Sequence, residues 1–118
     1  MACTPVAYNS SMVIKETYYF TEIIQTLMPD ELYAEFQCAI AERPDIGDII
    51  PGTGGLRKVR WKLAGSGKRG GIRIIYYWIT ETDEIYMLFA YAKASSENLT
   101  KEQEKLLSKI VQEELKDG

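Results

Sequence analysis

Apolar residues recur along this chain in two rhythms, and the changes of rhythm mark out its elements. Met12 to Thr17 reads as a short strand. Phe20, Ile23, Ile24 and Leu27 then fall at helical spacing. Pro29-Asp30-Glu31 supplies helix-start chemistry, with a proline that suits a first turn and carboxylates that suit the positive end of the helix dipole. Leu32, Phe36, Ala39 and Ile40 follow as an amphipathic stripe that Arg43-Pro44 ends. Residues 45–55, rich in Gly and Pro, read as loop. Leu56 to Leu63 alternates as a strand does, and Ile72 to Ile79 and Ile85 to Ala92 are β-branched and aromatic runs separated by a polar turn, Thr80 to Glu84. Thr100 with Gln103 three residues on makes a capping box, and Leu106, Leu107, Ile110, Val111 and Leu115 form the apolar face of a last helix. The order β-α-α-β-β-β-α predicts one α+β domain over residues 12–118, a mostly antiparallel sheet with helices packed on one face.

Composition narrows the class. The 118 residues, 46% hydrophobic and 26% charged, suit a single globular domain with a core of its own. Residues 1–11 carry no fold pattern and are expected to be a flexible N-terminal extension. With two cysteines, Cys3 and Cys38, and no histidine, the chain lacks the four N/S ligands of a structural zinc site. It therefore reads as a reduced protein with neither metal nor cofactor. The first residues have no basic segment followed by an apolar run, and the apolar stretch from Ile85 to Ala92 is far short of the ~20 residues of a membrane helix. A cytoplasmic protein without membrane contact is expected.

Charge changes the picture more. Between Ile49 and Thr80 stand Arg57, Lys58, Arg60, Lys62, Lys68, Arg69 and Arg73, with no acidic residue among them. The rest of the chain holds seven basic residues against seventeen acidic ones. Concentrating like charge costs self-repulsion, so a positive strip on an otherwise acidic protein points to a polyanion. A merely solvated, solubilising face is the plainer alternative.

Gly65, Gly67 and Gly70 match the letters of a dinucleotide fingerprint. That motif needs a strand leading through its glycines into a helix, and here they lie between two strands. They are read instead as a hairpin loop that lets Lys68 and Arg69 approach a nucleic-acid backbone. In the strand before it, Lys58, Arg60 and Lys62 share one face, opposite Arg57, Val59 and Trp61. Cations two residues apart on a strand stand roughly 6.6–7 Å from each other, near the phosphate spacing of an extended nucleic-acid strand. In the next strand Arg73 interrupts an apolar row, where it is either an ion-pair or snorkelling residue or a guanidinium for phosphate. Tyrosines beside the strip would offer stacking surfaces for RNA bases.

The runs Gly52-Thr-Gly-Gly-Leu-Arg-Lys-Val-Arg60, Gly67-Lys-Arg-Gly-Gly-Ile-Arg-Ile-Ile-Tyr-Tyr77 and Leu88-Phe-Ala-Tyr-Ala-Lys93 resemble the toxins of type II toxin–antitoxin pairs, RelE superfamily, HigB-like branch. The resemblance extends over about Val13 to Leu115 and is most specific from Gly52 to Tyr77. It implies a small α+β ribonuclease that enters the ribosome and cleaves mRNA without metal, driving a 2′-hydroxyl onto the adjacent phosphate. It also implies a cognate antitoxin, of helix-turn-helix type. By the same resemblance Lys58, Arg60, Arg73 and Lys93 are the catalytic candidates; Arg57, Lys62, Lys68 and Arg69 of the basic strip, with Tyr91, are read as binding RNA. The chain departs from the pattern after Lys93, where Ala94 replaces an arginine and no tyrosine follows Tyr91. The acid/base role thus falls to Lys93, Tyr91 or a lysine of the strip. Such a site, without imidazole, needs cations to stabilise a phosphorane and a base of depressed pKa. Two other readings use the same residues: a non-catalytic RNA- or DNA-binding module, and a degenerate toxin acting only through a protein partner.

Overall fold

The computed structural model describes residues 13–62, 71–92 and 100–115; the extension expected at residues 1–11 lies outside them. Strand β1 (Val13–Glu16) stops at Thr17, whose hydroxyl accepts the Phe20 amide at 3.0 Å and so caps helix α1 (Tyr18–Leu27). Pro29 sits at the N-cap of α2 (Asp30–Glu42), where its missing N–H costs nothing, and Asp30 and Glu31 occupy the first turn. Four further strands follow: β2 (Asp48–Ile49), β3 (Leu56–Lys62), β4 (Gly71–Ile79) and β5 (Glu84–Ala92). Helix α3 (Lys101–Ile110) opens on the predicted capping box, with Thr100 Oγ1 and the Gln103 side chain each accepting the other residue's amide.

The five strands form one sheet in the order β1-β5-β4-β3-β2, with β1 parallel to β5 and the β2–β3, β3–β4 and β4–β5 pairs antiparallel. The α+β class read from the sequence holds. Three expectations need correction. The supposed loop over residues 45–55 contains β2, which pairs Asp48 with Lys58 and Ile49 with Arg57; a two-residue strand is too short to show a period. Cys38 is disulfide-bonded, not a free thiol; a cysteine count says nothing about which thiols meet.

The third correction concerns the helices, which lie on both faces of the sheet. Phe20 and Ile24 of α1 and Phe36 and Ile40 of α2 pack against Val59, Ile72, Ile74, Tyr76, Ile85, Met87 and Ala90. On the opposite face Leu107 and Val111, from α3 and the turn after it, pack against Leu56, Ile75, Leu88 and Tyr91. A β-bulge sets which residues of β5 join this second face. Ile75 pairs with Phe89 and Tyr76 with Met87, so Leu88 is an extra residue in β5.

Tyr76, fully buried, ties the first core to the chain entering β2. Its hydroxyl donates to the Pro44 carbonyl at 2.6 Å and accepts the Gly47 amide at 2.9 Å. Tyr76→Phe leaves both backbone groups without that partner and is expected to cost about 1–3 kcal/mol. In urea the midpoint should fall at unchanged slope; a Phe variant as stable as the parent would contradict this account of Tyr76.

Candidate nucleic-acid interface

Register sets the site. On β3 the alternation gives Lys58, Arg60 and Lys62 the shared face that the sequence predicted, and that face is the one α3 packs on. Arg60 pairs with Arg73 of β4, and Arg73 pairs in turn with Tyr91 of β5. Arg60, Arg73 and Tyr91 therefore form one row across three strands, at the end of the sheet where β3 and β5 stop at Lys62 and Ala92. Arg60 and Lys62 are exposed and Lys58 is half-buried. Arg73 and Tyr91 retain only 6% and 9% of their accessible surface.

The guanidinium of Arg73 leans along the face over Gly71. A Cβ on that glycine would lie 3.5 Å from Arg73 Nη1 and 4.0 Å from Arg60 Cγ, so the two arginines converge on the same place. Arg73 Nη1 and the Tyr91 hydroxyl are both buried, with no hydrogen-bond partner among the described residues. Buried polar atoms are nearly always paired; of the three such atoms without a partner among the described residues, two share this row and the third, Trp78 Nε1, lies on the opposite face. Burial pushes the Tyr91 phenol above its ordinary value of 10.0; the neighbouring Arg73 charge pulls it down, and Glu104 of α3 pushes it up. The phenol is thus a proton donor at neutral pH.

The glycine run before β3 holds the roof of this face. Thr53 is buried; its hydroxyl donates to the Ile50 carbonyl at 2.6 Å and accepts the Leu56 amide at 3.2 Å. Its own carbonyl accepts the Ser108 hydroxyl of α3 at 2.7 Å. The turn needs Gly55, which has φ +117° and where a Cβ would come within 2.9 Å of the Tyr77 ring. Gly52 to Gly55, part of the motif that carried the family resemblance, therefore anchors α3 to the sheet.

Of the predicted residues, the structure brings together Lys58, Arg60, Lys62, Arg73 and Tyr91. It does not bring Arg57 to them. Arg57 lies on the α1–α2 face, donating to the Gly47 carbonyl at 2.7 Å with its guanidinium 5.8 Å from the centre of the Trp78 ring. Lys68, Arg69 and Lys93 fall outside the described residues. The sequence reading overlooked Glu104, although it lies three residues before the apolar Leu107, and it overlooked an aromatic ladder on the α3 face. In that ladder Phe89 stands 5.9 Å from Tyr91 and stacks on Tyr19 at 5.6 Å and 3°.

No family model matches the chain. Among solved structures it is similar to the E. coli toxin RelE, determined in the free state as a variant with two arginines replaced by alanine. The likeness has a TM-score of 0.55 at 19% sequence identity and covers 74% of this chain and 88% of that one. The fold is RelE-like. No helix among the described residues is long and apolar enough to cross a membrane.

Proposed function

We propose that this chain is the toxin of a type II toxin–antitoxin pair, a ribosome-dependent endoribonuclease of the RelE/HigB kind. The observation that carries the reading is the pair of orphaned buried groups, Arg73 Nη1 and the Tyr91 hydroxyl, in one row with Arg60 and beside Lys58 and Lys62. The RelE-like fold supports it.

In this reading the exposed cations of β3 track the RNA backbone, and the scissile phosphate settles against Arg73 and Arg60. A lysine of the strip, or Lys93, takes the proton of the 2′-hydroxyl as its oxygen bonds to phosphorus. Both guanidiniums stabilise the charge that builds on the phosphorane, the task a rigid fork performs better than an ammonium. Tyr91 gives its proton to the departing 5′-oxygen as the P–O bond breaks. The products are a 2′,3′-cyclic phosphate and a 5′-hydroxyl. An antitoxin of helix-turn-helix type silences the site by covering the Arg60/Arg73 face or by blocking the ribosome.

The test is purified protein, ribosomes and a programmed mRNA, with the new ends mapped chemically. Cyclic phosphate ends that appear only with ribosomes are expected, as is rescue of growth by the product of a neighbouring reading frame. Binding without cleavage would instead favour a non-catalytic RNA-binding module, for which the orphaned hydroxyl of Tyr91 has no use.

A further inference from the structure

We infer that the apolar groove between the start of α1 and α3 is a nucleobase subsite, filled by the base of the nucleotide whose phosphate lies at Arg73 and Tyr91. The inference rests on the reading of that row as a phosphate site and extends it to the part of the RNA that differs between nucleotides.

The groove has a volume of about 350 Å³ and is walled by Tyr19, Phe89, Leu106 and Ile110, with Gln103 at its polar margin. That volume falls in the usual range of ligand pockets, about 300–1,000 Å³. It adjoins the phosphate row through a continuous run of rings. Tyr91 meets Phe89 at 5.9 Å, and Phe89 lies face to face with Tyr19 at 5.6 Å and 3°. Tyr91 and Phe89 are two residues apart on one face of β5, a step of roughly 6.6–7 Å, which is about the reach from a phosphate to its own base.

Three features favour a base over an aliphatic partner. The wall nearest the phosphate row is aromatic, and stacking on such rings accepts the π-face of any base. Tyr19 is 59% exposed, although stacking against Phe89 fixes its plane. The Gln103 carbonyl oxygen is taken by the Thr100 amide at 2.9 Å, so its NH₂ is the donor it can offer to a base edge.

The experiment uses a labelled tetranucleotide, 2′-O-methylated so that it cannot be cut, and the same oligomer with one base removed. Fluorescence anisotropy measures both against the full chain, Tyr19→Leu and Tyr19→Trp, with folding checked by circular dichroism. The parent should bind the complete oligomer about tenfold more tightly than the abasic one. Tyr19→Leu should erase that difference and leave abasic binding unchanged, while Tyr19→Trp retains it. No binding of the oligomer, no discrimination by the parent, or equal discrimination by Tyr19→Leu overturns the subsite; a protein segment as the true occupant gives the last result. Ribosome-dependent cleavage by the parent, measured alongside, separates the two claims. Cleavage without base discrimination defeats the subsite alone, and discrimination without cleavage defeats the nuclease reading alone.

Discussion

Arg73→Ala should fold normally and cleave ribosome-bound mRNA about 10²–10³-fold more slowly than the parent, the usual loss for one donor aimed at developing charge. The residue is 6% exposed, and its Nη1 has no hydrogen-bond partner among the described residues, which leaves it a donor for an incoming acceptor. Arg73→Lys should remain impaired, because a point charge cannot reproduce the planar fork that contacts two phosphate oxygens. Arg73→Met makes the complementary case. Replacing a buried cation by an apolar side chain of similar length is often neutral or stabilising, so this variant should be at least as heat-stable as the parent and inactive. Single-turnover cleavage and thermal unfolding of the three variants check the assignment. An Arg73→Ala protein that cuts as fast as the parent removes Arg73 from the site, and an unstable Arg73→Met protein makes it a structural residue.

Tyr91→Phe is expected to lower the cleavage rate by about 10²–10⁴, the range of a positioned general acid. It too should leave stability intact, since the hydroxyl it removes is buried and unbonded. The pH profile supplies a readout that a packing role would not move. Burial raises the Tyr91 pKa above 10.0, so the phenol is protonated, and the acid competent, throughout the neutral range. Activity should be lost only as pH rises past that raised value. The alkaline fall of the rate should therefore lie above pH 10 in the parent and be missing from the residual activity of Tyr91→Phe. A parent rate that falls near pH 8 would assign the acid to another group.

Much of this was legible in the sequence. The capping box at Thr100, the helical spacing of Phe20 and Ile24, and the shared face of Lys58, Arg60 and Lys62 are local patterns, and local geometry obeyed them. The placement of α3 was not read, although a signal for it existed. β4 and β5 are apolar on nearly every residue, the mark of strands covered on both faces; a sheet with helices on one face only would alternate. Within β4, Arg73 is conspicuous because it breaks such a run, which is why it could be singled out without coordinates. Tyr91 could not be paired with it in advance. That pairing depends on the register between β4 and β5, and register is a tertiary property that one strand's sequence does not contain. The orphaned state of both groups is likewise a fact about neighbours.

The bulge at Leu88 has a consequence for how the two halves of β5 keep time with each other. Counted in twos from Ile85 and Met87, which face α1 and α2, Tyr91 would fall on their side of the sheet. The extra residue shifts the count by one beat, and from Phe89 onward the odd-numbered side chains face α3. The candidate proton donor thus owes its address to the number of residues before it as much as to its own identity. Straightening β5 with Leu88 retained would bring Tyr91 opposite Ile72 and turn the phenol away from Arg73, whereas deleting Leu88 itself would leave it in place.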